Sequence, residues 1–127
     1  MEFKWNQDHF TGETEFGEMV VSGDETKGFR PYQMMVGSIA VCSASVLRQV
    51  MEKQRLEVTG LTVKADVKRN PDEANRITHI ALHYVIQGGE LPETKVERAV
   101  KLASANCPMA RTVEGAVEIT ETFELNS

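Results

Sequence analysis

Between Arg30 and Arg48 the chain carries no charge: "PYQMMVGSIAVCSASVL", Pro31 to Leu47, is a run of 17 uncharged residues. Proline suits the first turn of a helix, where its missing N–H would have no partner anyway. The run continues into the polar end "RQVMEKQR", so a helix is expected over residues 32–54. Met35, Ile39, Cys42, Val46 and Val50 follow helical spacing, while Met34, Val36, Val41 and Leu47 are apolar on other faces. A helix apolar nearly all round is buried nearly all round. This one is expected at the centre of the molecule or of a dimer. Tyr, Gln, Gly and three Ser within the run argue for a buried helix and against a membrane span. Gly37, Ser38, Ala40, Ser43, Ala44 and Ser45 are small enough for other backbone to approach closely.

The rest of the chain reads as strands around that helix. Residues 2–29, rich in Gly, Thr and Glu, predict two or three short antiparallel strands with tight turns. Leu61, Val63, Ala65 and Val67 alternate with polar residues, as do Ile80, Leu82, Tyr84 and Ile86. With the turn "RNPDEAN" between them they predict a hairpin with one buried face. A second helix is expected from about Pro92, with Val96, Val100, Ala103 and Cys107 on one stripe. Pro108 opens a short third helix, "PMARTV", and Val117, Ile119 and Phe123 mark a last strand. The order predicts an α+β fold with antiparallel sheets around a long buried central helix. With 127 residues, 41% of them hydrophobic, the chain is read as a single domain over 1–127.

Lys plus Arg is 14 and Asp plus Glu is 19, a net charge of −5, with the signs interspersed. No basic stripe is present, which argues against nucleic acid or an anionic membrane surface as partner. The start "MEFKWNQDHF" lacks the basic and apolar regions of a signal peptide, so a soluble, cytoplasmic protein is expected. In a reducing cytosol its two cysteines are inert core thiols or a redox pair, not a permanent staple.

The thiols differ in setting. A cysteine reacts as thiolate, which a helix N-terminus or a nearby cation favours. If Pro108 is the first residue of a helix, Cys107 is its N-cap. Cys42 sits mid-helix in apolar surroundings and needs a cation from the fold, with Arg30 and Arg111 as candidates; otherwise it is a small core residue. Two thiols that can meet permit a peroxide cycle: one is oxidised to sulfenic acid, the other condenses with it, and an outside dithiol reduces the disulfide.

"RPYQMMVGSIAVCSASVLRQVMEK", "LEVTGLTVKADVKR", "ITHIALHYVIQGG" and "NCP" before a last strand, in this order and spacing, resemble the OsmC/Ohr family over nearly the whole chain from about Gly28. The resemblance implies an intertwined homodimer with two central helices back to back and active sites at the interface. It also implies a thiol-dependent peroxidase acting on organic hydroperoxides. By matching position Cys42 corresponds to the peroxidatic cysteine and Cys107 to the resolving one. No metal or organic cofactor is implied, only a dithiol reductant. The family's peroxidases carry a glutamate directly after the helix-starting proline, where this chain has Tyr32. They also carry an activating arginine in the N-terminal strands, whereas residues 1–29 hold Lys4 and Lys27 and no arginine. Arg30, Tyr32 and Arg111 are the candidates to line the site or activate the thiolate. An OsmC-like dimer with weak or no peroxidase activity, serving as a binding or redox-sensing protein, is the alternative.

His79 and His83 would make a metal pair on a helix, but their segment alternates as a strand. Four strand residues span roughly 13 Å, too far for one ion, so a solvated face is expected. No CxxC, GxSxG or phosphate-loop glycine pattern is present.

Overall fold

A computed structural model describes residues 1–126. The chain divides into two compact units, Met1–Met35 and a second that begins at Val36. The first holds three strands, β1 (Phe3–Asn6), β2 (His9–Glu13) and β3 (Glu18–Val21), joined in an antiparallel sheet in that order. Phe3 pairs with Gly12 across it. A Cβ on Gly12 would lie 2.5 Å from the Phe3 ring, so only glycine lets the ring lie flat over β2. Every position of β1 is exposed.

Helix α1 runs Pro31–Lys53, beginning in the first unit and continuing in the second. Its buried residues are Val36, Ile39, Ala40, Ser43, Leu47 and Met51. All-round burial is therefore not met within one copy: Val41 is 62% exposed, with Ser38 and Ser45 exposed on the same stripe. The helix is long and apolar enough to cross a membrane by length and composition. Part of that apolar content is accounted for by the face it buries in the protein itself.

The second unit continues with β4 (Val58–Asn70), β5 (Arg76–Gly88), α2 (Glu93–Asn106), α3 (Pro108–Thr112) and β6 (Glu118–Asn126). β4 and β5 form the expected antiparallel hairpin, with Val63 opposite Tyr84 and Ala65 opposite Leu82. Ile80, Leu82, Tyr84 and Ile86 all face inward and are at most 1% exposed. Val96, Ala99, Val100 and Ala103 of α2 are buried at helical spacing.

The α+β class stands, but the sheet of the second unit is not wholly antiparallel. β6 pairs with β5 in parallel, Ile80 beside Ile119 and Tyr84 beside Phe123. The chain leaves β5, passes through α2 and α3, and re-enters the sheet from the same end. A connection of that length is what a parallel pairing needs. His79 and His83 lie on the solvated face as expected, in cross-strand pairs with Glu118 and Glu124 at 3.0 and 3.1 Å.

Candidate active site

The site is built where α1 and the α2–α3 corner meet in the second unit. Pro108 cannot donate a backbone hydrogen bond and disfavours helical geometry before it, so α2 stops at Asn106 and α3 starts at Pro108. Cys107 is left between them, extended at φ −80° and ψ 112°, as the N-cap of α3. Its sulfur accepts the Ala110 N–H at 3.4 Å, as a capping side chain does. The Ser43 hydroxyl of α1 also donates to that sulfur, at 3.2 Å.

Cys42 precedes Ser43 on α1 and is partly exposed, whereas Cys107 is completely buried; both are free thiols. The two are in hydrogen-bonding contact, and the Met109 backbone N–H also reaches Cys42. Thus α3 turns one amide toward each sulfur. Burial pushes the Cys42 thiol up from its ordinary pKa, the Met109 N–H opposes this, and the neighbouring Cys107 adds to the rise.

Arg111, in the same unit, pairs with Glu114 at 3.4 Å, and among the described residues of this unit no cation is an influence on Cys42. Arg30 and Tyr32 belong to the first unit, where the guanidinium stacks over the ring at 4.8 Å from its centroid. A hollow of about 620 Å³ at the Lys68–Asn70 end of the hairpin is lined by neither cysteine.

Behind Cys107 lies a polar group that the sequence reading passed over. Tyr84, fully buried on β5, donates to the Glu121 carboxylate on β6 at 2.5 Å, and its hydroxyl also contacts Ser43. Burial, then the adjacent carboxylate, push the Tyr84 phenol far above its ordinary range. A signal was present: Glu121 occupies an inward position of the last strand, between Ile119 and Phe123.

An OsmC-like protein family model matches residues 23–122. The chain belongs to the OsmC-like family. Protein YhfA of Escherichia coli is 31% identical over 121 residues, covering 91% of this chain and 89% of YhfA. An OsmC-like protein from Mycoplasma pneumoniae superposes with a TM-score of 0.87 at 18% identity, over 99% of this chain and 95% of that one. A Legionella pneumophila structure described as an organic hydroperoxide resistance protein OsmC gives a TM-score of 0.75 at 20% identity, over 97% and 93% of the two chains. At these identities the two structures speak for the fold alone. In this OsmC-like chain the family match spans both cysteines.

Proposed function

We infer that this chain is a thiol-dependent peroxidase that reduces organic hydroperoxides through Cys42 and Cys107. The observation that carries the reading is the contact between a partly exposed thiol and a buried one, both free. The Cys42 thiolate attacks the outer peroxide oxygen, the O–O bond breaks, and an alcohol leaves after taking up a proton. Cys42 is then a sulfenic acid. Cys107 attacks that sulfur, the S–O bond breaks, water departs and a disulfide remains. An external dithiol returns both thiols by exchange, with no metal or organic cofactor taking part. The substrate class follows the name of the Legionella relative. Two thiols kept free side by side suit a reducing cytoplasm.

The working form is a homodimer. Every position of β1 is exposed, with Trp5 70% exposed and Phe10 of β2 46%, apolar surface that a second copy would cover. Val41 exposed in the middle of α1 asks for the same cover.

One feature favours a second reading, a redox-sensing protein with weak peroxidase activity: Cys42 is pushed toward the thiol form, and among the described residues of its own unit no cation opposes this. A single experiment separates the two. The reduced protein is treated with a slight excess of cumene hydroperoxide, and intact mass and free thiols are measured with and without dihydrolipoamide. A peroxidase loses two hydrogens per chain, recovers them with the dithiol, turns over, and does none of this as Cys42→Ser. A sensor oxidises once and slowly. Two thiols left untouched overturn both.

A further inference from the structure

Cys107 is completely buried, yet its sulfur must lose a proton to close a disulfide. Its sulfur contacts the Ala110 N–H, the Ser43 hydroxyl and the Cys42 thiol. An amide N–H cannot take a proton, and Cys42 is the group under attack. Ser43 can, provided it passes on its own. Ser43 is itself 1% exposed, and its hydroxyl contacts that of Tyr84. Tyr84, 0% exposed, donates to Glu121 at 2.5 Å. Glu121 is partly exposed and lines an open groove of about 440 Å³ with Glu93, Glu97, Val100 and Lys101. A line of polar contacts therefore runs from a buried sulfur on the α2–α3 corner, through α1 and β5, to a partly exposed carboxylate on β6.

We propose that Ser43, Tyr84 and Glu121 form the proton exit of Cys107, with Glu121 as terminal acceptor. The proposal rests on the reading of Cys107 as the thiol that closes a disulfide onto Cys42. As the S–S bond forms, the Cys107 proton moves to Ser43 Oγ, the Ser43 proton to Tyr84 Oη, and the Tyr84 proton to Glu121 Oε2. The leaving hydroxide and the proton that Glu121 releases into the groove sum to one water. Each hydroxyl carries one hydrogen that rotates, so the 3.2 Å contact between Ser43 and Cys107 serves in either sense. With its hydrogen turned to Tyr84, Ser43 can accept the Cys107 proton; once the transfer is complete its new hydrogen points back at the Cys107 sulfur, the orientation in which it donates to that sulfur in the structure. Tyr84 hands the proton on without holding charge, since its phenolate is disfavoured by burial and by Glu121. Packing does not explain the arrangement. Phenylalanine would fill the space of Tyr84, and a polar group in the core stabilises only while all its partners are kept.

Tyr84 and Glu121 act through Ser43 and are positioning residues, so the test needs more than a rate. The reduced protein is mixed with dithionitrobenzoate. A first thionitrobenzoate is released as the more exposed Cys42 is captured, and a second as Cys107 attacks the Cys42 mixed disulfide. The second release reads the proton loss of Cys107 with no peroxide present. Glu121→Gln keeps an acceptor for Tyr84 but cannot take the proton; Tyr84→Phe keeps the ring. Both are expected to slow the second release about a hundredfold, the low end of proton-transfer contributions, and leave the first unchanged. Their second phase should climb with pH as hydroxide replaces the carboxylate, while the wild type varies little. A wild-type rate in Glu121→Gln, or a slower one with the wild-type pH profile, overturns the relay. No second release in wild type overturns it together with the pairing of the thiols. A fast second release in a protein inert to cumene hydroperoxide removes the peroxidase reading and leaves the relay standing.

Discussion

At the scale of single residues, the state of Cys42 decides how fast the chain reacts. Its thiol is raised, first by burial and then by the neighbouring Cys107, with only the Met109 N–H pulling the other way. The reactive form is the thiolate, so a raised pKa lowers reactivity at neutral pH. It also places the rise in reactivity above the ordinary cysteine range of about 8.5. Alkylation of Cys42 by iodoacetamide, followed by peptide mass, should be slower at neutral pH than that of a free cysteine. It should still be climbing at pH 9, as the thiolate fraction grows. A profile already flat at neutral pH would mean that a cation outside the second unit outweighs burial. Cys107 as the cap of a short helix was legible because Pro108 fixes the backbone on both sides of it. Its partner Ser43 was not, since a serine beside a cysteine in an apolar helix reads as filler until something across the core bonds to it. Glu121 stood on the inward side of its strand, yet Tyr84, which explains it, lies 37 positions earlier. The cation expected beside Cys42 was inferred from what thiolate chemistry wants, and Arg111 turns to Glu114 instead.

At the scale of elements, alternation located β5 and its buried face, but β6 carries the same period of two whichever way it runs. Only the crossover through α2 and α3 sets it parallel to β5. The turn between β4 and β5 shows what a Pro/Asp/Asn signature leaves unsaid. Asn70 Oδ1 accepts the Asp72 N–H at 3.0 Å, and Ala74 and Asn75 then follow in left-handed conformation at φ 57° and 58°. Asparagine tolerates that region and alanine does not, because its Cβ crowds the following carbonyl at a cost of roughly 1–2 kcal/mol. Glycine removes the crowding but frees the unfolded chain, at a cost of about 0.5–1 kcal/mol. Ala74→Gly should therefore raise stability by about 0.5 kcal/mol, close to 2 °C in a thermal melt for a chain of this size. Asn75→Ala should lower it by a similar or larger amount. A loss with Ala74→Gly would mean that the alanine methyl contributes packing that its exposed position gives no sign of.

At the scale of the whole molecule, the fate of the exposed side of α1 decides what the particle is. The 23-residue helix buries Val36, Ile39, Ala40, Ser43, Leu47 and Met51 within its own chain and leaves Ser38, Val41 and Ser45 outward. Ser43 turns to the core of the second unit and Cys42 meets Cys107 there, so covering the stripe would leave that contact in place. Serines on either side of one valine make a shallow, narrow strip that suits the backbone of a second helix more closely than bulky side chains would. A second α1 offers the same strip about a two-fold axis, and a self-complementary surface is what a symmetric dimer requires. A carboxylate at position 41 would enter such a contact twice, once from each copy, as two like charges losing water with no partner. Sedimentation velocity should therefore give twice the mass of one chain for the wild type and a single-chain mass for Val41→Glu. Val41→Ala, which trims the contact without charging it, should stay dimeric or nearly so. A wild type that sediments as one chain at the highest soluble concentration would remove the dimer. If that protein instead floated with phospholipid vesicles, and Val41→Glu stayed in solution, the strip would be meeting lipid and not a second helix.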